Sequence, residues 1–129
     1  AAMGSEEDVL GRELVLSARD GQLQALNNLL SSNAPLAYEF EGESALVAAS
    51  AGAHAEAVRV ILHAGADPNR PTRTGNTALR SAITLGDGDC IAALLEGGAS
   101  VNMETARGTP LVVACTRGDP AVVQQLLDA

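Results

Sequence analysis

The sequence predicts an all-α solenoid, a row of short helical hairpins lying side by side, and three observations carry that prediction. Leading leucines and apolar pairs recur at intervals of 32 or 33 residues. Each interval holds two short amphipathic stretches separated by glycine, well under the about 12–15 residues that an isolated helix needs in water, so each unit must lean on a neighbour. One phenylalanine, one tyrosine and no tryptophan restrict the core to Leu, Val, Ile and Ala, which suits thin, closely stacked helices rather than a deep globular centre. A length of 129 residues with 47% apolar content is enough for one domain with its own core.

The clearest unit spans residues 75–102. Thr77 caps a first helix with Leu79, Ala82 and Ile83 on its apolar face, and Gly86 supplies the left-handed residue that ends it. Asp87 or Asp89 caps a second helix carrying Cys90, Ile91, Leu94 and Leu95, which Gly97 and Gly98 close. Leu46, Leu79 and Leu111 stand 33 and 32 residues apart, and each lies 16 residues before the second member of Ile61-Leu62, Leu94-Leu95 or Leu126-Leu127. Leu14 repeats the spacing towards Leu46 and Leu30. Ser17, Ala49, Ala82 and Ala114 fall three residues past the leading leucines, small side chains where two helices cross closely. Asn69 and Asn102 end two units, again 33 apart.

A period of 33 residues with two helices and a Gly/Asn-rich connection resembles the ankyrin repeat. Thr109-Pro110-Leu111 matches the family's opening, Thr77-Ala78-Leu79 and Ser44-Ala45-Leu46 are near copies, and Gly65-Ala66-Asp67-Pro68-Asn69 sits on its Gly-Ala-Asp-x-Asn ending. The histidine usual after the leading leucine is replaced by Val15, Val47, Arg80 and Val112. The resemblance runs from about residue 10 to the last residue. It implies an ankyrin-repeat solenoid with repeats at about 10–36, 42–70, 75–103 and 107–129, joined by short β-hairpin fingers.

Along the chain, residues 1–5 read as an expression scar, although Ser5 and the acids after it also favour a helix start near Glu6 that runs past Gly11 to Arg19. Arg12 stands where other units have a capping Ser or Thr, and Pro35-Leu36-Ala37 replaces the polar ending, as suits an end unit. The first finger, residues 37–43, holds both aromatic residues. Tyr38 is expected to pack on the neighbouring finger, and Phe40 either packs there too or meets a ligand as an anchor. The second unit carries Gly52 one residue ahead of the glycine register, and His54 stands at the family's turn histidine, where it braces the turn. Two further fingers follow at residues 70–76 and 103–108. Thr109-Pro110 and Asp119-Pro120 each combine a cap with a first-turn proline. Val122, Val123, Leu126 and Leu127 carry no polar substitution on the face a next unit would cover, so the chain reads as cut from a longer protein.

The formal charge of −8, from eight arginines, no lysine and sixteen acids, disfavours nonspecific attraction to nucleic acid or anionic lipid. It is uneven: residues 1–44 hold eight acids and two arginines, net −6, and residues 45–129 hold eight acids and six arginines, net −2. Cys90 and Cys115 fall at core positions and are expected as small buried thiols of a reducing compartment, cytoplasmic, with the nucleus also compatible. His54 and His63 share no helix face, Asp87-Gly88-Asp89 lacks the later ligands of a calcium loop, and Gly97-Gly98 is a helix stop rather than a phosphate loop. No catalytic set, cofactor site or metal site can be assembled, and no apolar run is long enough to span or enter a membrane.

The resemblance therefore implies a non-enzymatic module that binds a peptide or partner protein on a concave strip of fingers and inner helices. Phe40, Glu41, Glu43, Arg73, Asn76, Arg80, Leu85, Arg107 and Arg117 occupy the family's contact positions. Arginines grouped on that side fit a carboxylate or phosphate. Two alternatives are a structural spacer, meeting other domains or itself end to end through the open fourth unit, and a regulatory part of a larger enzyme or channel. As a fragment the chain is expected to be monomeric.

Overall fold

The computed structural model describes residues 6–102 and 108–128, and in it the periodicity becomes four successive helix pairs. The first helices of the pairs are α1 (Glu6–Asp20), α3 (Ala45–Ala51), α5 (Ala78–Leu85) and α7 (Pro110–Arg117). The second helices are α2 (Leu23–Ser31), α4 (Ala55–His63), α6 (Gly88–Glu96) and α8 (Pro120–Leu127). First helices pack on first helices and second on second, so the fold is two layers of helices running in register. The all-α solenoid expected from the period is the architecture observed. No helix among the described residues is long and apolar enough to cross a membrane.

Each layer is built by the same local chemistry. Ser44, Thr77 and Thr109 are the N-caps of α3, α5 and α7, their hydroxyls accepting the N–H of Val47, Arg80 and Val112 at 3.4, 3.2 and 3.3 Å. Asp87 and Asp119 cap α6 and α8 in the same way, whereas Gln22 and His54 stand at that position without a side-chain bond. First helices end on a left-handed residue followed by a bond back five residues: Gln22 N–H to Ser17 O, His54 N–H to Ala49 O and Asp87 N–H to Ala82 O. Second helices repeat the closure, with Asn33, Gly65 and Gly98 as the left-handed residues. Asn69 then spans two units, its Nδ2 donating to Gly98 O at 3.2 Å and its Oδ1 accepting the Ser100 N–H at 2.7 Å.

Ala53 (φ 61) occupies the left-handed place that Gly21, Gly86 and Gly118 fill in the other pairs, while Gly52 has an ordinary φ of −89. A non-glycine residue there crowds its Cβ against the following carbonyl, at about 1–2 kcal/mol. Ala53→Gly is therefore expected to raise stability by about 1 kcal/mol, a rise in Tm on the order of 3–6 °C by thermal circular dichroism. No rise would mean that the strain is relieved elsewhere in the turn.

The core is aliphatic, and its depth varies with position in the stack. Leu46 and Leu79 are buried and Leu111 is half-buried; the small residues Ser17, Ala49, Ala82 and Ala114 are all buried at the crossings. Cys115 corrects an expectation. Cys90 is buried, but Cys115 is exposed, although its repeat equivalents Ala18, Ser50 and Ile83 are each 0% accessible. In those three units the next first helix covers the position, and among the described residues nothing packs over it in α7. The open face is likewise not the set expected: Val122 and Leu126 are buried inside the last pair, and Val112, Cys115 and Leu127 are the exposed members.

Burial, then the hydrogen bond and charge of Asp87, push the Cys90 thiol up to about 12. A thiol-specific chromogenic reagent at neutral pH is expected to titrate Cys115 at least about 100-fold faster than Cys90, because the thiolate is the reacting form and one sulfur is shielded. Equal rates in the native protein would contradict this placement.

Tyr38 packs elsewhere than expected. Its ring covers Gly11 in the middle of α1, where a Cβ would come within 2.6 Å of Cδ1. His54 braces its turn by packing, with its ring against Gly21 of the preceding unit.

Candidate functional site

The first finger is a minimal hairpin. Phe40 and Glu43 form one antiparallel β-bridge, with N–H to O distances of 2.9 and 3.1 Å, and the two residues between them, Glu41 (φ 55) and Gly42 (φ 80), are both left-handed, as a type I′ turn demands. Arg19 of α1 holds this turn, Nη2 donating to Glu43 Oε1 at 2.7 Å and Nη1 to Glu41 Oε2 at 3.4 Å. The Glu43 hydrogen bond foremost, with the charges of Glu43 and Glu41, raises the Arg19 guanidinium above its ordinary value against an opposing effect of burial. Phe40 is half-buried and packed against the core, so only part of its ring faces outward.

The second finger closes on Thr72, which is 5% exposed: its N–H donates to Asn76 O at 2.8 Å, its carbonyl accepts from Gly75, and its hydroxyl accepts the Asn76 N–H at 3.2 Å. Arg73 donates its backbone N–H to Glu39 Oε1 at 3.0 Å, tying this finger to the first, and its side chain is exposed. Asn76 connects finger to helix. Its Nδ2 donates to Ser81 Oγ at 2.9 Å, and its Oδ1 accepts from Arg80 Nη1 at 3.0 Å, which aims the half-buried Arg80. This bond stands where the family's usual histidine is missing.

Leu85 ends α5 with 47% of its surface exposed. The exposed Arg117 of α7 reaches back to it, Nη2 donating to Leu85 O at 3.4 Å. Arg80, Leu85 and Arg117 thus lie on the layer of first helices, and Arg73 and Asn76 on the finger leading into it. Glu41 and Glu43 are drawn together by Arg19 rather than left open. Arg107 and the finger around it lie outside the described residues, as do residues 1–5.

Several residues of this surface were missed by sequence reasoning: Arg19, Glu39, Thr84, Val113 and Thr116. A usable signal existed for three of them, since Arg19, Thr84 and Thr116 all stand five residues past a leading leucine. Among the described residues no group of His, Cys, Asp and Glu could hold a metal ion.

A model of the family described as ankyrin repeats, in three copies, matches residues 14–105. The human ankyrin repeat and SOCS box protein 16 is 34% identical over 107 residues, 81% of this chain and 24% of that protein. The Arabidopsis thaliana E3 ubiquitin-protein ligase XBAT32 is 34% identical over 122 residues, 91% of this chain and 24% of that protein. The Drosophila melanogaster neurogenic locus Notch protein is 32% identical over 114 residues, 85% of this chain and 4% of that protein. The chain therefore spans about a quarter or less of the length of these relatives. Ankyrin repeats are generally non-catalytic modules of protein–protein interaction, most often one part of a larger protein. The capped helix pairs, their left-handed closures and the match over residues 14–105 establish that the chain belongs to the ankyrin repeat family.

Proposed function

We propose that this chain binds a peptide or a partner protein's surface on the strip made by its fingers and first helices. Arg73, Asn76, Arg80, Leu85 and Arg117 supply the contacts at one end, and Phe40, Glu41 and Glu43 at the other. Arg107 is assigned to the same strip from its sequence position. The observation that carries this reading is the exposed Leu85 at the end of α5, an apolar anchor on the first-helix layer beside the Arg117 guanidinium that reaches its carbonyl. A stiff scaffold spends little ordering entropy on binding, so a few such anchors suffice. We assign the four helix pairs to repeats at about 10–36, 42–70, 75–103 and 107–129. Two cysteines without a disulfide fit a reducing compartment, cytoplasmic or nuclear.

The test is to select binders from a random peptide library and map them by backbone amide shifts. Perturbations centred on Leu85, Arg80 and Arg117, with affinity falling at least about tenfold on charge reversal at Arg73, Arg80 and Arg117, are the expected result. Perturbations confined to α2, α4 and α6 would overturn it.

A second reading is favoured by the length comparison: the unit serves as a spacer or regulatory part inside a larger protein. Light scattering on this chain and on one extended by a further repeat distinguishes them. Concentration-dependent dimers that vanish on extension would mean only an open end.

A further inference from the structure

We infer that the hollow at the roots of the first two fingers is a subsite for one basic side chain, a lysine or arginine of the bound protein segment. The inference rests on the reading of the fingers and first helices as the recognition strip, and it adds the chemistry of one residue which that strip takes. Five segments meet around this hollow of ≈ 190 Å³: the approach to the first finger, the start of α3, the connection after α4, the second finger and the start of α5. Leu36, Leu46 and Pro71 give it apolar walls, and Glu39, Asp67 and Arg70 are its charged members. A cavity of about 150 Å³ holds a benzene-sized group, so an aliphatic stem with a charged head fits in this one.

Both carboxylates are fixed by main-chain donors and keep an acceptor to spare. Glu39 Oε1 accepts the Arg73 N–H at 3.0 Å, and Asp67 Oδ1 accepts the Asn69 N–H at 2.9 Å. Among the described residues the second oxygen of each takes no hydrogen bond, and no cation lies within ion-pair distance of either group. Arg70 borders the hollow too, but it is exposed and bonded to neither carboxylate. An ammonium or guanidinium entering there makes charge-assisted hydrogen bonds to groups already in place, at little ordering cost.

Other hollows with acids in their walls lie off the strip. At the starts of the second helices, where Glu56 and Asp89 stand, Glu56 is paired with Arg59 at 3.1 Å. The one between α6 and α8 holds Glu96 and Asp128, and Asp128 Oδ1 accepts from Gln124 Nε2 at 2.9 Å. The distribution of charge favours the finger site as well. Residues 1–44, which contribute Glu39, carry a net −6, and such a field draws basic segments towards this end of the stack.

The test uses three pools of random dodecapeptides, each with one central residue held as Lys, Arg or Met, and measures retention on the immobilised chain. Retention of the Lys or Arg pool about tenfold above the Met pool is expected, falling by about the same factor in the Glu39→Gln/Asp67→Asn double variant. Both replacements keep an oxygen for the Arg73 and Asn69 N–H groups, and circular dichroism checks that the fold is kept. Arg70→Gln, at an exposed position, raises retention of the basic pools about twofold. Glu96→Gln, which removes the same charge from α6, leaves the preference unchanged. Whichever basic pool is retained more identifies the head group. Equal retention of all three pools, a preference untouched by the double variant, an equal loss in Glu96→Gln, or a fall in Arg70→Gln overturns the subsite. If equal retention of the pools is lost in Leu85→Asp, the recognition strip itself stands; retention of no pool overturns both.

Discussion

Ile83→Ala is expected to lower the free energy of unfolding by about 3 kcal/mol, while Cys115→Ala, at the same repeat position, changes it by less than about 0.5 kcal/mol. Ile83 is 0% accessible in a helix packed on both α3 and α7, so truncation leaves a cavity walled by neighbours that are themselves held in register. Cys115 is exposed, and its removal opens nothing. A loss of about 3 kcal/mol is a large fraction of the about 5–15 kcal/mol that a domain of this kind possesses. Because each helix of the later pairs is only seven to nine residues long, loosening α5 also withdraws support from both flanking units. Urea unfolding followed by far-ultraviolet circular dichroism measures both, there being no tryptophan to report by fluorescence. Similar losses at the two positions would show that stability in this stack does not depend on being covered by a next unit.

Gly52→Ala is expected to cost about 2 kcal/mol in the same experiment. The dihedral is not the reason, since φ is −89. A Cβ at this position would stand 2.7 Å from the carbonyl oxygen of Arg19 and 2.7 Å from His54 Cδ2. The imidazole could turn away, but the carbonyl belongs to α1 and cannot move without displacing the helix that also anchors the first finger through Arg19. Moving the glycine into register, Gly52→Ala with Ala53→Gly, is therefore expected to remain a net loss, the dihedral gain of about 1 kcal/mol falling short of the clash. A double variant more stable than the parent would show that α1 and α3 can separate at no cost.

The parts of this fold that were legible without coordinates are those whose causes lie within a turn or two of chain. Capping by Thr77, Thr109, Asp87 and Asp119, closure at Gly86 and Gly118, and the 33-residue recurrence of Leu46 and Leu79 are local dihedral and hydrogen-bond preferences repeated at a period, and such preferences are written into consecutive residues. The strip of candidate contacts was partly legible for the same reason, since Arg80, Leu85 and Arg117 could be placed by register alone. Other features depend on what lies across a gap of twenty residues or more. Whether a repeat position is core or surface turns on the presence of a next unit, as Ile83 and Cys115 show. Glu41 and Glu43 meet Arg19, Tyr38 settles over Gly11, and Gly52 is needed for space rather than for its dihedral, because in each case the partner is a through-space neighbour that no local pattern encodes.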